Sequence, residues 1–277
     1  RVPGTTVVRA ALDLKALSAA SLSVTAGGAV TDSGTLAISG ATTLNSGSAD
    51  LTLDQSGSTF GTLAITGANV AVTENAAMDL GASTISGTAS FNSTSNAITD
   101  SGTLAITGAT TLNSGSADIT LNEASSTFGT LVLTGANVAV TENAATDLGA
   151  STVSGTFGIT SGGAITDSGT LAITGDATFT NTSGSNDAIT LDDAGNAFAG
   201  TVTFATDSGS AVTIVDTTAL DLKALSAVSL SVTAGGAVTD SGTLAITGVT
   251  TINSGSADLT LNEASSTFGT LVLTGAN

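Results

Sequence analysis

The chain has 277 residues, of which 22 are acidic and only four basic (Arg1, Arg9, Lys15 and Lys223), for a formal net charge of −18; Cys, His, Trp and Tyr are absent. Clustered Lys and Arg are what a phosphate backbone rewards, so this balance excludes direct nucleic-acid binding, and the lack of Cys excludes disulfides and thiolate metal sites. A hydrophobic fraction of 41% with 9% charged residues is opposite to the signature of disorder, so a folded core is expected.

Residues 1–10 read as an incoming segment or partial coil. Ala10–Ala20, which holds the word Ala-Leu-Asp-Leu-Lys-Ala-Leu-Ser at Ala11–Ser18, has the composition of a short helix. Its counterparts beginning at Ala77 and Ala145 place Gly81 and Gly149, followed by hydroxyl residues, where a helix would have to continue. The alternation shared by all copies, Leu12 and Leu14 or Met78 and Leu80, therefore predicts a strand. Further along, Leu36 and Ile38, Leu51 and Leu53, Leu63 and Ile65, and Val70 and Val72 each flank a small or hydroxyl residue, the period of a half-buried strand. Gly34, Gly40, Gly47, Gly57, Gly61 and Gly67 punctuate these runs beside Asp, Asn or Ser, as turns require.

These short strands belong to a repeat. Thr31–Gly40 recurs at Thr99–Gly108, Thr166–Gly175 and Thr239–Gly248, and its Asp residues, Asp32, Asp100, Asp167 and Asp240, follow one another at intervals of about 70 residues. A larger period carries Ala11–Ser18 onto Ala219–Ser226 and Phe60 onto Phe268. Residues 11–218 thus read as a first large repeat of three related units. Residues 219–277 read as an incomplete second one, continuous with the same solenoid. The closing words Thr274–Asn277 stop where earlier copies continue with Val-Ala-Val-Thr-Glu-Asn, so the sequence is expected to be a segment of a longer protein.

The pattern predicts an all-β parallel β-helix (β-solenoid) with approximately three coils per repeat unit, beginning near Ala29, Leu51 and Met78. About 23 residues per coil and about 12 coils follow from strands of about five residues separated by turns. On that count the four repeated Asp residues would stand three coils, or about 14 Å, apart in one row. Phe60, Phe128, Phe198 and Phe268 are expected to pack inside a broad corner. A string of β-sandwich modules, one to each repeat unit, is the competing architecture; the absence of linkers and the single Pro3 weigh against it.

No catalytic, cofactor-binding or metal-binding residue is assigned, and the chain is not expected to be an enzyme. Asp192 and Asp193 are adjacent, but nothing makes one an acid and the other a base for glycoside cleavage. Asp50, Asp54, Asp187, Asp192 and Asp193 offer oxygen without the spacing of a calcium loop, so no cofactor is expected and calcium capture would be weak. Without His, the Ser and Thr residues have no evident activating base, and neither nucleotide-binding glycine signature occurs. The interval Thr180–Thr218 is the one irregular stretch in which a site-bearing loop would be sought. Thr-x-Thr is not maintained at a short period, so an ice-binding face is not expected.

Gly28–Leu36, Leu121–Ala124 and Thr134–Val140 resemble the repetitive regions of very large bacterial surface proteins related to filamentous haemagglutinins. The resemblance covers almost all of Ala11–Asn277 and implies a secreted, right-handed parallel β-helix used in adhesion, surface filaments or export-associated proteins. The amino-terminal export region and membrane-anchoring barrel of those proteins are not seen in this sequence. The expectation is a structural segment of an extracellular bacterial adhesin or surface filament, an elongated stalk or repetitive contact surface. Its partners would be cell-surface or matrix glycans or proteins, or neighbouring copies of itself, with no direct membrane insertion by this segment. A self-assembling surface-layer component is the alternative, and a carbohydrate-active β-helix enzyme a remote one.

Overall fold

The computed structural model describes residues 5–8, 10–207 and 209–276. Arg1, Pro3, Arg9 and Asn277, and with them most of the incoming segment, lie outside the described residues. The chain divides into two compact units, Arg1–Ala136 and Asn137–Asn277. Each is a parallel β-solenoid, and no helix occurs among the described residues. Ala10–Ala20 carries no helix but two strands, Leu12–Leu14, as the comparison of its copies predicts, and Leu17–Ala19. Parallel ladders replace the antiparallel pairing that a β-sandwich would require.

In the first unit one ladder stacks Leu12–Leu14, Val30–Asp32, Leu51–Leu53, Val70–Thr73, Ala89–Asn92, Thr110–Asn113 and Thr130–Gly135. Val30 pairs with Leu51, Leu51 with Val70, Val70 with Ala89 and Ala89 with Thr110, so that each coil takes up about 20 residues. The coil is therefore shorter than the sequence pattern predicts. The strand after Leu51 in this ladder starts at Val70, not Met78.

Met78–Leu80 belongs to a second ladder. There Thr5–Val8, Leu22–Ala26, Ala41–Asn45 and Thr62–Gly67 are stacked in turn. The last of these is covered by two strands at once: Leu63 pairs with Leu80, while Thr66 and Gly67 pair with Thr84 and Ile85. A new corner at Gly81 and Ala82 is thus folded into the middle of what had been one flat strand. Gly81 suits it, because a Cβ there would already be 3.0 Å from the Thr62 methyl.

The sequence repeat, laid on coils of this length, does not close on a whole number of turns. Val30–Asp32 lies on the first ladder, but its counterpart Ile98–Asp100 pairs with Met78–Leu80 and Ile119–Leu121 on the second. The second unit repeats the switch. Ile165–Asp167 pairs with Thr146–Leu148 and Ile189–Leu191, whereas Val238–Asp240 pairs with Leu220–Leu222 and with Leu259 and Thr260 on the opposite ladder. The expectation of one row of Asp residues three coils apart is corrected: the repeat advances around the solenoid as well as along it. At 218/219, where the large sequence repeat ends, Ala211–Asp216 still pairs with Ser229–Ala234, so that boundary belongs to sequence and not to the ladder.

Inward residues close the core: Val30, Leu36, Leu51, Leu53, Leu63 and Leu80 are fully buried. Each contributes about 1.5–3 kcal/mol from burial, set against the entropy of ordering its short strand. Phe60, Phe128 and Phe198 are buried as expected, and Phe268 is half-buried. Within Thr180–Thr218 and just before it the coils widen. Ile165 pairs with Ile189, Ala172 with Ala197 and Ala177 with Val202, each a longer step than any between Val30 and Thr110 in the first unit. A wider coil encloses more volume, and aromatic rings fill it. Phe179 meets Phe157 and Phe198 edge-on at 5.8 and 6.1 Å and stacks on Phe204 at 5.8 Å.

One turn recurs as Asn-Ser-Gly-Ser. Gly47, Gly115 and Gly255 sit at φ of 62°, 60° and 62°, each donating its N–H to the side chain of the Asn two residues before. In Asn92–Ser95 the same turn is built with Thr94, at φ 47°, donating to Asn92. A β-branched residue in this conformation is strained by about 1–2 kcal/mol. Thr94→Gly is therefore expected to raise the denaturation midpoint, and Gly47→Ala to lower it, in chemical unfolding followed by far-UV circular dichroism.

Candidate contact surface and the corners that hold it

The four repeated Asp residues share one structural role. Asp32 Oδ1 accepts the backbone N–H of Asp54, Asp100 accepts those of Asn122 and Glu123, Asp167 those of Asp192 and Asp193, and Asp240 that of Asn262. Each carboxylate thus caps the turn one coil further on, where N–H groups have left the ladder. Burial pushes the Asp32 and Asp167 carboxyls up, opposed in both by the N–H groups they accept. A Ser pins the same corner: the buried Ser58 and Ser126 and the half-buried Ser266 accept, through Oγ, the N–H of Leu36, Leu104 and Leu244, each at 3.0 Å. In the third copy Asn196 replaces Ser, accepting from Leu171 and donating to Asp167.

A second set of acids lies inside. Glu74, Glu142 and Asp216 occupy corresponding places after the Val-x-Val or Val-x-Ile strand and are 0, 2 and 1% exposed. Glu142 accepts the Thr146 hydroxyl at 3.0 Å. Asp216 accepts the N–H groups of Phe198 and Thr218, and burial raises it despite these bonds. Glu74 has Met78 at the place of Thr146, and neither of its oxygens has a partner among the described residues. Desolvation alone pushes its carboxyl up to about 8. Sequence reasoning missed these acids, although Glu inside an otherwise apolar Val-Ala-Val-Thr-Glu-Asn word was a readable signal.

The acids considered for chemistry are engaged in turns. Asp193 accepts from Thr170 and from the N–H of Gly195, and Asp192 and Asp193 both donate their own N–H groups to Asp167. Asp50 accepts from the main chain and side chain of Asn69, and Asp54 from Gln55. The backbone carbonyl of Asp187 accepts from Asn181. Among the described residues no group of three or more Asp or Glu is placed to hold a metal ion. In the second unit a groove is lined by Asp176, Gly200, Thr201, Leu220, Asp221 and Thr239. The N–H and hydroxyl of Thr201 hold Asp176 below the usual carboxylate range, so it remains ionised and is a poor proton donor. Asp221 accepts from Ser241 and Thr239.

What faces outward is mostly hydroxyl. In the second unit Thr166, Thr190, Thr213, Ser231 and Thr251 are in register on five successive strands, flanked by Val215, Thr233, Asn253 and Thr274. Their spacing along the stack is that of the ladder, about 4.8 Å. The row was hidden because its members are unevenly spaced along the chain and come from different words of the repeat. The common signal was a hydroxyl between two inward residues, as in Ile165-Thr166-Asp167 and Leu230-Ser231-Val232.

A sequence family described as repeats of unknown function (DUF5649) matches the chain four times, at residues 4–66, 67–134, 135–205 and 209–275. No curated protein and no solved structure matches it.

Two outcomes follow from the acids. Asp100→Ala is expected to lower stability by about 2 kcal/mol, because two N–H groups lose a charged acceptor, and to expose the 119–127 segment first in hydrogen exchange. Glu74, with its folded value raised above the ordinary 4.5 to about 8, binds a proton in the folded state that the unfolded chain has released. Its contribution is intact below about pH 4.5 and is lost as the pH rises towards 8, by up to about 1.4 kcal/mol per unit. Glu74→Gln should flatten that slope in unfolding curves measured from pH 5 to pH 8.

Proposed function

Since the chain belongs to the family of repeats of unknown function, DUF5649, we propose that it serves as a structural segment of an extracellular bacterial adhesin or surface filament, of the filamentous-haemagglutinin kind. It acts as a stalk or as a repetitive contact surface and carries out no catalysis. The supporting observation is where the chemistry-bearing groups are spent. The repeated carboxylates cap turns, the buried acids lie in the core, and the outward faces present rows of Thr, Ser and Asn.

Rows of hydroxyls at ladder spacing suit glycans or matrix proteins with their own periodic hydrogen-bonding groups. Many weak contacts in register would add through effective concentration and not through one deep pocket. The charge of −18 disfavours nucleic acid and anionic lipid surfaces. No described helix is long and apolar enough to cross a membrane, and membrane insertion by this segment forms no part of the reading.

Adhesion to a panel of glycans, matrix proteins and cells tests it, with Thr190→Lys/Thr213→Lys as the comparison. Binding that falls at least about tenfold in the double variant, at unchanged far-UV signal, would locate contact on the hydroxyl row. Binding unaffected by the double variant would remove that row from the contact surface. No binding by the segment, with loss of reach when it is deleted from a longer chain, would leave the stalk role.

A further inference from the structure

One corner of the second unit carries small residues on three successive coils: Ala199 and Gly200, then Ala219, then Ala237. Gly200 lets this corner sink onto the coil before it, since a Cβ there would stand 2.3 Å from the Gly175 carbonyl oxygen. The wide coil also ends here, for the step from Ala177 to Val202 is longer than that from Val202 to Leu222 or from Leu220 to Val238. The result is a groove of about 340 Å³ that crosses the strands and is lined by these small residues, by Leu220 and by two carboxylates, Asp176 and Asp221.

The ladder fixes where the carboxylates stand. Ala177 pairs with Val202, so Asp176 faces Thr201; Thr201 pairs with Asp221, and Asp221 with Thr239. Asp176 and Asp221 are therefore two ladder steps, or about 10 Å, apart on one outward row. Neither is ion-paired among the described residues. Asp176 Oδ1 accepts both the N–H and the hydroxyl of Thr201, at 2.9 and 2.8 Å, and its Oδ2 accepts no hydrogen bond from a described residue. Asp221 is oriented by the hydroxyls of Ser241 and Thr239 at 2.8 and 3.3 Å. Lys223 is near enough to favour the charged form of Asp176 without closing an ion pair on it.

Two carboxylates at this separation cannot share one metal ion, whose oxygen ligands stand about 2.4 Å away. The lining holds no aromatic ring on which a base could stack. Separated anions with apolar surface between them complement a cation that has the same layout. We propose that the groove binds a linear alkyl diammonium ion, of the polyamine class, laid across the coils with one ammonium at Asp176 Oδ2 and the other at Asp221. A charge-assisted hydrogen bond takes up about 2.8 Å at each end. The span left is that of a short methylene chain, which rests on Ala199 and Ala219, while the remaining N–H donors face water from the open side of the groove. The site is on the other ladder from Thr166, Thr190 and Thr213, so binding here is independent of contact through the hydroxyl row.

Titration of the whole chain with 1,4-diaminobutane at low ionic strength, followed by amide NMR, is expected to give saturable shifts centred on residues 199–201 and 219–221. Asp176→Asn and Asp221→Asn each keep an oxygen for the neighbouring hydroxyls, and each should weaken binding at least about threefold. Ala219→Leu fills the groove without changing any charge and should weaken binding at least about tenfold, whereas Lys223→Gln, which removes a like charge, should strengthen it. Butylamine, with a single ammonium, should bind at least about threefold more weakly than the diamine. Equal binding of the two amines would overturn the proposal, and so would an absence of saturable shifts at millimolar diamine. Shifts spread over the surface and indifferent to Ala219→Leu would overturn it as well, because they would mean general attraction to a chain of net charge −18.

Discussion

The coil-to-coil ladder is the constraint on which everything else in this chain depends. Each strand is only three to six residues long over most of the structure, too short to hold itself. It persists because its N–H and C=O groups are bonded to the coil before and the coil after, about 4.8 Å away. The ladder in turn demands that every coil repeat the cross-section of its neighbour within the reach of a side chain. Where the coil widens, as between Ile165 and Ile189, the interior must be refilled, and four Phe residues do so.

Corners are where the ladder is interrupted, and most of the sequence-specific chemistry is spent there. Asp100 collects N–H groups that would otherwise be lost, Ser126 returns a bond to Leu104, and Gly108 lets one coil rest on the backbone of the next, since a Cβ would stand 2.5 Å from the Gly87 carbonyl oxygen. Acidic residues in this role explain how so acidic a chain can be held together with few ion pairs. The carboxylates are stabilised by backbone dipoles and not by countercharges, and Lys15 with Asp13 is the ion pair formed among the described residues. Glu74 is the exception, a carboxyl enclosed with no described donor, and it is stable there as the neutral acid.

Much of this was legible in the residues. Leu-x-Leu and Leu-x-Ile alternation between glycines could be read as short strands, and the copies at Ala77 and Ala145 removed the helix that Ala10–Ala20 alone suggests. The inward Phe residues followed from their place in each copy. The position of each copy around the coil was not legible. Asp32 and Asp100 look interchangeable in sequence, yet they lie on different ladders, because the repeat period is not a whole number of coils. Nor was the hydroxyl row of the second unit, whose members are neighbours only across strands.

By itself, then, the sequence determined the local rule: which residues are extended, which side chains alternate inward, where the chain turns, and that these pieces recur. That information is local because backbone sterics and side-chain alternation act over a few residues. Only the tertiary structure decided the phase of one repeat against the next, and with it which groups meet. Phase depends on the summed length of every coil, so a small change in the length of a turn shifts a whole word from one face to another. The splitting of Thr62–Gly67 beneath Met78–Leu80 and Ser83–Ile85 is where that sum was settled in the first unit.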